Sequence, residues 1–113
     1  METKRAIEAT CPECRGPLSE VREDGLRQYR CLVGHVYSAA GLLAAHSETQ
    51  EKQLWAAVVV LEEAPELVEA TLSEFPPEVA ASLRRQAEEK RRQAQTIRKI
   101  LEELQPFQIG EPA

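Results

Sequence analysis

CPECRGPLSEVREDGLRQYRCLVGH, residues 11–35, holds all three cysteines of a 113-residue chain and one of its two histidines. Cys11 and Cys14 make a C-x2-C knuckle, in which two thiolates can grip one ion from a tight turn. Sixteen residues separate Cys14 from Cys31 and three separate Cys31 from His35, so the whole set reads C-x2-C-x16-C-x3-H. Between the two knuckles, Leu18–Arg22 and Leu26–Arg30 flank Glu23-Asp24-Gly25. An Asp-Gly pair between two such runs is a strong β-hairpin signal, because both turn residues must take positive φ. The spacing predicts a zinc ribbon, with Gly16 and Gly34 at the points where a positive backbone angle is wanted.

Three thiolates and an imidazole fill all four positions of a tetrahedral ion. Zn2+ is the expected cofactor, held by Cys11, Cys14, Cys31 and His35, because a d10 ion imposes no further geometry. Four good ligands leave no open position for a catalytic water. A dithiol use of Cys11 and Cys14 is the competing reading, but it needs an activating helix N-terminus and a thioredoxin-like sheet, and neither is legible. His46, eleven residues past His35, reads as a polar helix residue and not as a ligand.

Composition agrees with a small module that needs a staple. Aromatic residues are 4% of the chain, so any core is built from Leu, Val, Ile and Ala. The first residues, METKRAIEAT, carry no apolar run of signal-peptide kind, and no stretch approaches the ~18 apolar residues of a membrane span. With an odd cysteine count, this reads as a cytoplasmic protein with reduced thiols and no membrane partner. The net charge of −5 argues against a surface that is all nucleic-acid footprint.

Beyond the ribbon the apolar period changes. Leu54, Val58, Leu61, Pro65, Val68, Leu72 and Phe75 step alternately by four and three, and Ala80, Leu83, Ala87, Lys90, Ala94, Ile97, Leu101 and Leu104 continue the pattern after Pro76-Pro77. Residues 39–76 carry one basic against seven acidic side chains, and residues 77–105 carry seven against five. Two long helices, acidic against basic, are expected to form an antiparallel hairpin turned at the proline pair. Pro65 should kink or briefly break the first. Ser38 is the expected cap of a short helix over residues 39–46, with Tyr37 covering the metal knuckle. Ser47 should open a second helix over 47–74, and the third should span 77–105. Trp55, one place off the seam, reads as a packing residue. The fold class is therefore α+β: a zinc-ribbon module over residues 1–38, a helical hairpin over 39–105 and a tail over 106–113.

The segments CPEC, RCLVGHVYS and LWAAVVVLEE, within residues 10–64, resemble the C-terminal extension carried by some bacterial chemotaxis-type protein-glutamate methylesterases. The resemblance implies the metal set Cys11, Cys14, Cys31 and His35, and a setting in chemotaxis-like signalling. It implies no esterase activity, because no G-x-S-x-G nucleophile elbow occurs in the sequence. At His46 the sequence departs from the family, whose pattern has glutamine there.

The expected function is a noncatalytic protein-interaction module whose partner is a signalling enzyme or receptor, with a homodimer as another use of the helical seam. The alternative is a nucleic-acid-binding regulator, favoured by Arg22, Arg27 and Arg30 on the hairpin and by Arg84, Arg85, Lys90, Arg91 and Arg92 on the last helix. Six acidic residues balance the basic ones within residues 1–38, which weighs against it.

Overall fold

The structure, a computed structural model, describes residues 1–110; of the expected tail over 106–113, residues 111–113 lie outside them. Among the described residues the chain is α+β, a four-stranded antiparallel sheet followed by two long helices. The strands are β1 (Thr3–Thr10), β2 (Pro17–Glu23), β3 (Leu26–Cys31) and β4 (Val36–Tyr37), in the spatial order of the sequence. The β2–β3 hairpin turns at Asp24 and Gly25, whose φ values of 52° and 81° are both positive, as a twist-matched two-residue turn requires. That turn sets Glu23 opposite Leu26, and so Arg22 opposite Arg27, Glu20 opposite Tyr29 and Leu18 opposite Cys31.

β1 and β4 have no counterpart in the sequence reading. β1 pairs along β2 from Thr3 opposite Arg22 to Ile7 opposite Leu18, and its register shifts between Ile7 and Thr10, so the chain turns into the first knuckle. Its one partly buried residue is Ile7, which is too little apolar alternation to mark a strand.

The chain divides into two compact units, residues 1–49 with 105–110, and residues 50–104. In the first, the core cluster is Cys11, Leu18 and Cys31, with Ile7, Tyr37 and Leu42 packed against it, and Val21 is buried outside that cluster. Two of those three buried residues are expected metal ligands, so the ligand set and the core are largely the same side chains. Residues 105–110 belong to this unit, where the Phe107 amide donates to the Ser47 hydroxyl at 3.1 Å.

Helix α1 (Ala39–Thr71) starts where Ser38 was expected to cap it: the Gly41 amide donates to Ser38 Oγ at 3.0 Å. The break expected at Ser47 is absent. α1 runs on through it, and Ser47 is buried with its hydroxyl donating to the Leu43 carbonyl one turn back. A serine that caps nothing and bonds backward looks in sequence like a helix start, which is why two helices were expected in place of one. Pro65 lies inside α1 without breaking it. A short 3-10 turn, Leu72–Glu74, leads to Pro76-Pro77, and α2 (Pro77–Glu103) opens with Pro77 in its first turn.

Within the second unit the expected seam is the buried one except at Phe75 and Lys90, which are exposed. Val58 and Ala94 are fully buried and Ala87 nearly so, while Leu54, Leu61, Val68, Leu83, Ile97 and Leu101 are half-buried. Glu62 with Arg98 and Glu69 with Arg84 form ion pairs between the helices, acidic residues from α1 and basic ones from α2, in antiparallel order. Trp55 is 43% exposed, with the Arg98 guanidinium 5.4 Å from its ring centroid. No helix among the described residues is long and apolar enough to cross a membrane.

Candidate metal centre

Two knuckles place the ligands, each by its own backbone logic. In the first, the Cys11 amide donates to the Gly16 carbonyl at 2.7 Å and the Arg15 amide to the Cys11 carbonyl at 2.8 Å. The positive angle this turn needs falls on Arg15 (φ 64°), and not on Gly16 as the sequence led one to expect. A Cβ on Gly16 would meet Cys14 Sγ at 3.4 Å, ordinary contact, so close approach to the thiolate does not demand a glycine either. In the second knuckle Gly34 does take the left-handed angle (φ 103°). There the Gly34 amide donates to the Cys31 carbonyl, the Cys31 amide to the His35 carbonyl, and the His35 amide to Cys31 Sγ at 3.2 Å.

The result is a cluster in which one ligand atom each from Cys11, Cys14, Cys31 and His35 lies within 4.8 Å of the others. His35 Nδ1 sits 3.2 Å from Cys31 Sγ and 3.6 Å from Cys11 Sγ. For bonds of about 2.3 Å to one central ion, the edges of a tetrahedron are about 3.8 Å, so the donors are near the separation a single ion requires. Three soft sulfurs and one imidazole nitrogen suit a thiophilic, tetrahedral ion, and the four residues could hold one.

The surroundings favour the thiolate form at Cys31 and Cys11. Burial works against charge at Cys31, but the His35 amide, Cys14, the Val33 amide and the His35 ring together bring its thiol down to about 6. At Cys11 burial is likewise outweighed, by the Tyr37 hydroxyl and the amides of Cys14 and Glu13, and its pKa falls. At Cys14 the Gly16 amide favours the thiolate, but burial and the two neighbouring cysteines prevail and raise it. Negative sulfurs already crowded together explain that last shift, and a cation among them would reverse it.

A second layer holds the ligands in place. Glu13 Oε2 is 3.0 Å from His35 Nε2, so the imidazole can donate there while Nδ1 faces the sulfurs. The hydrogen bond to Cys31 is the main reason the His35 pKa is raised, with the Glu13 carboxylate adding to it. Tyr37, at the end of β4, lies with its hydroxyl 3.2 Å from Cys11 Sγ. The sequence reading gives Tyr37 a covering role through its ring and gives Glu13 no role. A carboxylate inside a C-x2-C knuckle, able to reach back over the ion, is the signal that was available for Glu13.

His46, the other imidazole, is not in the cluster; it packs beside Phe107 with ring centroids 6.2 Å apart. Arg30, grouped in the sequence reading with Arg22 and Arg27, lies across the sheet from them: Arg22 and Arg27 are register partners, whereas Arg30 pairs with Ser19 and bonds Gln28. In comparisons with protein-family models, with curated proteins and with solved structures, nothing matches this chain.

Proposed function

We propose that the chain is a noncatalytic protein-interaction module stapled by one Zn2+ on Cys11, Cys14, Cys31 and His35, working in the cytoplasm in chemotaxis-like signalling with a signalling enzyme or receptor as partner. The observation that carries this reading is the loop between Cys31 and His35. Its two ends are donors of the cluster, while its two apolar side chains, Leu32 and Val33, each stand 75% exposed. Four protein donors leave no position for a substrate or an activated water, which supports a structural ion over a catalytic one. Two neighbouring apolar side chains held out by a rigid knuckle are what a protein partner would cover. The pathway itself rests on the resemblance of RCLVGHVYS and LWAAVVVLEE.

The test joins metal analysis to capture from the native host. Protein purified without added metal should carry one zinc per chain and retain a specific protein partner, and Leu32→Ser with Val33→Ser should abolish that capture while the zinc stays. Capture unchanged by the double substitution would overturn the assigned surface. Retention of nucleic acid with steep loss on adding salt would overturn the protein partner in favour of the nucleic-acid alternative.

A further inference from the structure

On the sheet face that carries Glu20, arginine has accumulated beyond what the fold uses. The register sets Arg5 opposite Glu20 and Arg22 opposite Arg27. Glu20 is buried, its side chain 5% exposed, and its two oxygens accept from Arg5 at 2.6 Å and Arg22 at 2.9 Å, with the Arg27 guanidinium paired to it at 2.9 Å. Those guanidiniums are half or more exposed, and none pairs with another carboxylate among the described residues. Beside them a concavity of about 230 Å³ is lined by Thr3, Lys4, Arg5, Glu20 and Arg22. Arg5, Arg22 and Arg27 against Glu20 give three positive charges to one negative on this face, in a chain whose net charge is −5.

We propose that this cluster is a binding site for a compact phosphate-class dianion, held by Arg5 and Arg22 with Thr3 at the rim and Arg27 behind. Like charges directly opposite in a sheet destabilise it, and the Arg22–Arg27 pair is such a case. One carboxylate shared among three guanidiniums offsets only part of that repulsion, and a dianion would offset the rest. Glu20 also fixes the guanidiniums. Each guanidinium has five N–H donors, and a buried carboxylate that engages one from Arg5 and one from Arg22 and pairs with Arg27 pre-sets their positions and leaves the other donors for a ligand.

A compact ligand fits better than a nucleic-acid strand. A strand needs positive charge along a track, but Arg30 is on the other face beside Glu2 and Gln28, and residues 39–76 carry one basic side chain against seven acidic. None of the residues lining the concavity is a donor of the metal cluster, so this inference stands apart from the proposed function.

The experiment titrates inorganic phosphate into the full, metal-loaded chain at constant ionic strength, following the arginine Nε–H signals by NMR. Saturable shifts are expected at Arg5, Arg22 and Arg27, with Arg91 and Arg92 on α2 unmoved. Arg5→Gln, at a side chain 78% exposed, should weaken binding by about tenfold without unfolding the sheet, and Arg5→Lys should restore part of it because the charge returns without the fork. Linear shifts of equal size at Arg91 and Arg92 would overturn the site, as would an affinity indifferent to both Arg5→Gln and Arg22→Gln. A single-stranded oligonucleotide binding far tighter than phosphate, with a salt dependence of several charges, would overturn the compact ligand.

Discussion

His35 meets two demands with one ring: Nδ1 faces the sulfurs of Cys11 and Cys31, and Nε2 reaches the Glu13 carboxylate. On the proposed metal site, removing the ring removes a ligand and the tether that orients it. His35→Ala is expected to lose most of its metal, whereas His46→Ala should keep a full equivalent and change stability by about 0.5 kcal/mol or less. Elemental analysis of the two proteins checks this, and equal metal loss from both would mean that the site extends into α1. Glu13→Gln tests the second layer alone. An amide oxygen still accepts from Nε2 but without the charge, and an outer-shell change of this kind lowers metal affinity by about 10-fold or more. Competition with a chromophoric chelator would read it, and an unchanged affinity would reduce Glu13 to a bystander.

Among the elements, the helical hairpin depends on small residues as much as on large ones. Ala87 and Ala94 are buried in α2 beside a seam whose remaining members are half-buried except Phe75 and Lys90, which are exposed, and Val58 is the fully buried side chain of α1 in that unit. Alanine at such positions lets two helices approach closely, at the cost of apolar area, and ion pairs along the flank add direction. The Arg98 guanidinium holds the Glu62 carboxyl below its ordinary value of 4.5, chiefly through their hydrogen bonds. A depressed carboxylate stabilises the fold above the unfolded value and loses that contribution as pH falls through the folded one. Stability of the wild type should therefore decline on acidification below about pH 4.5, and Arg98→Gln should show a shallower decline. Denaturant melts at a series of pH values decide it; parallel profiles would mean that the pair forms without consequence.

At the scale of the whole molecule, two compact units are held by different forces. Residues 1–49 with 105–110 centre on Cys11, Leu18 and Cys31, too little apolar volume to hold a sheet without help. Residues 50–104 rest on the helical seam and need no ion. A strong chelator is expected to erase amide-exchange protection across residues 11–37 while α2 and the second half of α1 remain protected. Protection lost uniformly through both units would show a single cooperative fold.

What the sequence determined by itself was whatever depends on spacing and local conformation. The four donors Cys11, Cys14, Cys31 and His35, the Asp24-Gly25 turn, the Ser38 cap, the proline hinge and the seam through Val58 and Ala94 are all written as intervals between residue types, and a polypeptide backbone converts such intervals into geometry with little choice. Tertiary structure decided the rest. β1 exists because β2 offers it an edge, not because METKRAIEAT alternates, and Ser47 stays inside α1 because its hydroxyl finds Leu43 and Phe107 in place of an orphan amide of its own helix. The Glu20 cluster lies between these cases. Arg22 opposite Arg27 follows from the turn alone, but Arg5 joins only when β1 pairs, since a contact between residues 15 apart across a strand pair is set by register and carries no local signal.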